Sequence, residues 1–576
     1  MCGLVAVVGT ADARSLAQRG ISTLTHRGPD ADGSWTADDG VAFAFRRLRI
    51  VDLSPSSDQP LVSERGELVL VFNGEIYNHV ELRRELHGYP FRTSGDAEVI
   101  LAAYERWGPR CLDRFIGMFA FVIWDRRSAT LFAARDRFGV KPLYMAEMPG
   151  GGLALASEIK ALHALGVPDE PDEVAWASYF ASGATDYGPR TFWRSVRTLP
   201  AGHRLQWRSG VTDVDQWYDV ARASGPDLDR RADEVVAEEY LSLLADSVAL
   251  RFRSDVPVGI NLSGGLDSSA LLAAVHAVQG ADSDVAAFTF VSGDPEYDEL
   301  PWVRDMLAET RHRSVVCTLR ADDVPALAGD VQGFQDEPFG GLPTLAYAVL
   351  FERARDEGVT VLLDGQGMDE QWAGYDYYRS LDGGVAPVVQ GTTSTPTRVA
   401  CLDPEFASLA APALSADTGT DALRATQVRD ISRVKLPRAL RFNDRVSMRA
   451  SRELREPFLD HRLVELALRQ PASRKIDATN GKVFLRSLLG GRLPGRVVEA
   501  PKRPVQTPQR EWLRGPLRGW ATDLVDAALD AQPSWFDAAS VGRELASFLD
   551  GKGDNSFFVW QWMSAGLLFD RRQVPA

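Results

Sequence analysis

A chain of 576 residues is too long for one hydrophobic core, and 45% apolar with 25% charged residues is the composition of a globular protein of two or more domains. Its 64 basic and 79 acidic residues leave a net charge of −15, which excludes a general nucleic-acid binder with a basic surface. No apolar run is long enough to cross a bilayer, no basic-then-apolar leader opens the chain, and Cys2, Cys111, Cys317 and Cys401 show neither zinc nor disulfide spacing, so a cytoplasmic protein is expected.

Met1-Cys2-Gly3 leads straight into a strand-like run at 4–8. Cys2 next to a removable initiator methionine would carry a thiol and a free α-amine, which titrates near pH 8 and can act as base for its own thiol. A buried small side chain at a strand start is the other reading of Cys2 alone. The tight polar turn His26-Arg27-Gly28-Pro29-Asp30 follows, then Arg47 on the strand of Arg47-Leu48-Arg49-Ile50-Val51-Asp52. The strand at 68–72 ends in Phe72-Asn73-Gly74-Glu75, and Ser94-Gly95-Asp96-Ala97-Glu98 reads as a helix cap. Two strands, 119–125 and 131–139, are separated by a short turn.

Taken with Met1-Cys2-Gly3, this series resembles the N-terminal-nucleophile glutaminase domain of class II amidotransferases, over residues 2 to about 160. The chemistry that the resemblance implies asks for these residue types. Arg47 suits the α-carboxylate of glutamine and Glu75 or Asp96 its α-ammonium, while the Asn73 amide and Gly74 N–H suit an oxyanion.

Residues 221–234 turn polar and read as a linker between a glutaminase domain at 2–220 and a second domain at 235–576, which opens with a helix at 232–251. The strand-like run 256–262 then meets Ser263-Gly264-Gly265-Leu266-Asp267-Ser268-Ser269 and an Ala/Leu-rich helical stretch. Strand, Gly/Ser turn and helix start gather N–H groups, hydroxyls and a positive dipole end, which makes an anion site. Asp267 would repel phosphate there unless a divalent cation bridges the two. A simple helix-capping turn is the plainer reading. Further strands at 285–290, 314–317 and 359–363 alternate with helical patterns, which predicts a helix-covered parallel sheet with ligands at the carboxyl ends of its strands. Residues 383–397, rich in Gly, Thr and Ser, read as a loop.

The loop resembles the pyrophosphate loop of ATP pyrophosphatases. With Asp364-Gly365-Gln366-Gly367-Met368-Asp369-Glu370, Glu456-Pro457-Phe458-Leu459-Asp460 and Pro501-Lys502, residues 240–513 resemble the synthetase half of glutamine-hydrolysing asparagine synthetases. That resemblance implies an α/β and α+β chain, an αββα glutaminase domain joined to a parallel-sheet synthetase domain. It implies ATP bound at Leu262, Ser263, Gly264, Gly265, Asp267, Ser268 and Ser269, with Phe288 or Phe290 near adenine. It implies Mg²⁺ shared by Asp267 and Asp369, Lys502 as charge stabiliser, and an acceptor site at Gln366 and Gly367. The reaction would join ammonia, channelled from glutamine, to a carboxylate activated as its AMP ester. Aspartate is the expected acid, with a sugar acid or natural-product carboxylate as alternative and a homodimer as the assembly to test. Two positions depart from the family. Gln366 stands where an acidic residue is usual, and Pro504-Val505 where Gly-Phe often follows the lysine. The first departure predicts a pocket less negative beside the acceptor, and so open to more anionic or bulkier acids.

Overall fold

In the computed structural model, residues 2–37, 40–186, 188–280, 283–381, 395–412, 421–500 and 507–569 are described. The strand Cys2–Val8 sets the pattern of the first half, because its side chains alternate between two cores. Val5 and Val7 face the helices Ala13–Ser22 and Ile159–Ala164. Cys2, Leu4, Ala6 and Val8 meet Val69, Val71, Val122 and Ala133 of a second sheet.

The first sheet runs Arg197–Thr198, Tyr144–Met148, Gly152–Ala156, Cys2–Val8, Val41–Arg47, Ala31–Ala37, all antiparallel. The second, also antiparallel, runs Val211–Gln216, His203–Arg208, Thr130–Arg135, Gly117–Asp125, Leu68–Ile76, Leu61–Val62. Its outer face packs on the helix Ala97–Trp107. Helix, sheet, sheet, helix is the layering expected.

In the second half a five-stranded parallel sheet runs Arg313–Thr318, Ala286–Val291, Val258–Asn261, Val361–Leu363, Glu453–Arg455. Ile260, Ala287 and Leu363 face the helices Asp233–Arg251 and Leu266–Gln279, whereas Phe288 and Leu362 face the other side, toward Leu342–Asp356. Four strands lie close to their expected places. Glu453–Arg455 was not expected, because Glu-Leu-Arg carries no apolar signal. Its two charges are fully buried and paired, Arg455 Nε donating to Glu453 at 2.5 Å.

The halves meet through buried charge. Arg27, with no exposed surface, donates from Nε to the Cys2 carbonyl at 3.0 Å, and from its terminal nitrogen to Glu158 at 2.7 Å and Asp444 at 2.9 Å. Burial alone would raise the Asp444 carboxyl, but Arg27 and Lys141 hold it below its ordinary value. Truncating Asp444 would strand Arg27 with one fewer anion in a dry site. Asp444→Ala should therefore cost about 3–5 kcal/mol of stability, read as a lower urea midpoint; an unchanged midpoint would count against the pairing.

Candidate active site

Cys2 is buried at 7% exposure and its main-chain N–H donates to Asn73 Oδ1 at 2.8 Å. Burial pushes its thiol up, and the Leu48 N–H and Arg47 pull it back only in part. The Asn73 amide nitrogen is buried with no hydrogen-bond partner among the described residues, a donor held ready beside the sulfur-bearing residue. Gly74 follows at φ +150°, where a Cβ would stand 2.1 Å from the Met118 carbonyl oxygen, so the strand can pass here only as glycine.

Glu75 and Asp96 are both buried, and each carboxyl is raised, first by burial; Asp96 adds to the rise at Glu75. Two such carboxyls form a place for a cation. Asp96 does not cap its helix as expected. No side-chain capping bond forms, and its carboxylate accepts the Ile76 N–H at 2.7 Å instead. The Arg47 guanidinium is cradled by the Ser54 carbonyl at 2.9 Å, the Val51 and Asp52 carbonyls, and Asp58 at 2.6 Å. Its placement is thus fixed by the loop at 51–58.

The second site is a cavity of about 400 Å³ at the carboxyl ends of the parallel strands. One wall is the turn between Val258–Asn261 and the helix Leu266–Gln279. Here Ser263 and Ser268 hydroxyls lie 3.1 Å apart, the Gly265 N–H reaches Ser263 Oγ at 3.3 Å, and Gly264 takes φ +78°. Ser269 Oγ is buried and unpartnered among the described residues. Leu262 is core, its N–H and carbonyl spent on Phe288 and Thr289. Phe288, fully buried, backs the cavity together with the half-buried Phe290.

Asp267 and Asp369 converge on the ammonium of Lys482, which contacts the Asp267 carboxylate and lies 2.5 Å from Asp369 Oδ1. The approach depends on Gly374, where a Cβ would fall 1.9 Å from that same oxygen. Two carboxylates already gathered about one cation fit a divalent metal in their oxygen chemistry. Lys482 was missed in the sequence, since a lone lysine reads as surface; the Asn480-Gly481 turn ahead of it was the only signal. Lys502 lies outside the described residues.

Tyr347, Asp364, Gln366 and Gly367 line the same cavity. Tyr347 hydrogen-bonds both Asp364, at 3.2 Å, and the Gln366 side chain. Asp364 also accepts from Asn261 at 2.8 Å. Gln366 therefore does not make its surroundings poor in acid, as the sequence alone suggested: Asp364 and the buried Glu456 share its backbone N–H.

A cysteine–asparagine site in the first half and a loop–carboxylate–lysine site in the second, joined by buried ion pairs, form one two-site architecture. Comparison with known families and proteins matches it at both ends. A glutamine amidotransferase domain matches residues 1–218, and the asparagine synthase family matches residues 239–570. A putative glutamine-hydrolysing asparagine synthetase of Mycobacterium tuberculosis is 33% identical over 97% of this chain and 95% of its own length. Glutamine-hydrolysing asparagine synthetase 1 of Bacillus subtilis is 27% identical over 100% and 98%, and asparagine synthetase 2 of the same organism is 32% identical over 88% and 71%. The chain belongs to the glutamine-hydrolysing asparagine synthetase family. Members of that family are ligases, and this enzyme carries both of its domains on one chain. Among the described residues, no helix is long and apolar enough to cross a membrane.

Proposed function

We propose that the enzyme hydrolyses glutamine at Cys2 and passes the ammonia internally to the second site, where it amidates aspartate activated as its AMP ester. Free ammonia is largely protonated at neutral pH and not nucleophilic, so internal passage preserves it. Arg47 holds the glutamine carboxylate, and Glu75 with Asp96 its ammonium. The Asn73 amide nitrogen and Gly74 N–H receive the oxyanion. In the second half, Ser263, Gly264, Gly265, Ser268 and Ser269 hold the phosphates of ATP beside Phe288, and Lys482 and Lys502 offset their charge. Asp267 and Asp369 would hold Mg²⁺, which when bound neutralises pyrophosphate oxygens. The observation that carries this reading is the convergence of Asp267, Asp369 and Lys482 at the mouth of the glycine-serine turn.

A screen of carboxylic acids for glutamine-dependent AMP formation tests it. L-Aspartate should give AMP and asparagine. AMP with another acid and none with aspartate would transfer the same chemistry to a sugar acid or natural-product carboxylate. Gln366→Glu adds a third carboxyl to the Asp364–Glu456 neighbourhood. One charge near 4 Å at an effective dielectric of about 20 is worth roughly 4 kcal/mol before screening. The KM for aspartate should accordingly rise by about tenfold or more, with glutamine hydrolysis unchanged; an unchanged KM would place Gln366 away from the acid.

A further inference from the structure

The amidation step needs a proton acceptor. Ammonia forms a bond to the acyl carbon, the bond from that carbon to the AMP oxygen breaks, AMP leaves with the electron pair, and the nitrogen must lose one proton. Gln366 cannot accept it, because a neutral amide is not a base at neutral pH. Three groups beside it are otherwise unused by the mechanism. Asp364 Oδ2 is 2.8 Å from Asn261 Nδ2 and 3.2 Å from the Tyr347 hydroxyl, and both Tyr347 and Asp364 face the cavity. Glu456, 3% exposed, shares the Gln366 N–H with Asp364 and keeps its Oε2 buried with no hydrogen-bond partner among the described residues. Buried acceptors without donors are rare and costly, which makes this oxygen a place where a proton belongs.

Resting on the amide-forming reading above, we propose that Asp364, with Glu456 as its positioning partner and Tyr347 as the hydroxyl bridge, takes the proton released when ammonia attacks the acyl-adenylate. The carboxyls act as a pair. Burial, and for Glu456 also the charge of Asp364, raises each above the ordinary range. The Asn261 amide and Tyr347 hydroxyl oppose that rise at Asp364, and Lys141, Arg251 and the Gln366 N–H oppose it at Glu456. A carboxyl so raised is a stronger base than a solvated one and works nearer neutral pH. The acidic function usual at position 366 has thus moved two residues back along the same turn.

The test uses the full-length protein with ammonium chloride as nitrogen source, which bypasses Cys2. Aspartate-dependent exchange of labelled pyrophosphate into ATP reports adenylation, and asparagine formation reports the whole sequence. Asp364→Asn should retain exchange while losing amide formation by about 10²–10³-fold. With total ammonium adjusted to keep free ammonia constant, amide formation should rise with pH as the pair ionises. Glu456→Gln removes the like charge, lowers the affinity of Asp364 for a proton, and should move the acid limb of the profile to lower pH while reducing the plateau. Asp364→Asn with wild-type amide formation overturns the proposal, as does loss of exchange together with amide formation, which would assign Asp364 to ATP or acid binding. If the wild type shows no aspartate-dependent exchange, the aspartate reading fails. The pair is then decided by infrared titration of the same protein: a carboxylic C=O band persisting above the usual carboxylate range and lost in both variants supports it, and its absence overturns it.

Discussion

Cys2→Ala should abolish glutamine hydrolysis while leaving amide formation from ammonium chloride near the wild-type rate. Loss of a covalent nucleophile costs on the order of 10⁴-fold or more, and here no other thiol stands in: Cys111, Cys317 and Cys401 are all buried, each with its thiol raised first by burial. Alanine keeps the strand, since Cys2 pairs with Arg47 through main chain and its N–H to Asn73 is unaffected. The effect is therefore chemical. Burial pushes the Cys2 thiol up, and on the proposed reading its own α-amine takes the proton. Blocking removal of Met1 should silence the same half-reaction. Glutamine consumption and asparagine formation, measured separately with each nitrogen source, decide the matter. Equal loss of both activities would refute independent sites.

The second large effect is expected at the carboxylates around Lys482. Asp267→Asn and Asp369→Asn should each reduce AMP formation by on the order of 10²–10³-fold, the scale of removing one preorganised electrostatic partner from a transition state. An amide is a poorer ligand for Mg²⁺ than a carboxylate. It also leaves Lys482, 3% exposed, with one anion in place of two. Glutamine hydrolysis in the same full-length variants should persist, because neither aspartate touches the Cys2 site. AMP formation at the wild-type rate in either variant would remove that aspartate from the proposed metal site.

The apolar strands and the Ser263–Ser269 turn were legible because both obey local rules: a buried strand needs a run of apolar residues, and a phosphate turn needs glycine and hydroxyls at fixed offsets. What escaped was decided by partners far along the chain. Glu453–Arg455 is a strand although it is charged, since each charge finds its counterion inside the protein. Lys482 acquires its meaning from Asp267, 215 residues away, and from Asp369. Gln366 looked like a lost acid because a sequence reads position by position, whereas the charge of its surroundings is set by whichever side chains come near, here Asp364 in the cavity wall and the buried Glu456. Asp96 shows the same thing in reverse. It occupies a capping position, yet a strand amide competes for its carboxylate and wins.

The position of Arg27 bears on how such enzymes can be recombined. A graft cut between residues 218 and 239 would keep each module whole by sequence, but Arg27 and Glu158 would travel with one piece and Asp444 with the other. A chimera whose acceptor module lacks a carboxylate at the place of Asp444 would inherit a buried guanidinium with Glu158 as its remaining anion, one hydrogen bond from the Cys2 carbonyl. Its defect would surface as poor glutamine turnover, although no residue of the glutaminase had been altered. Modules that exchange successfully should carry the three charges as a matched set or lack them all.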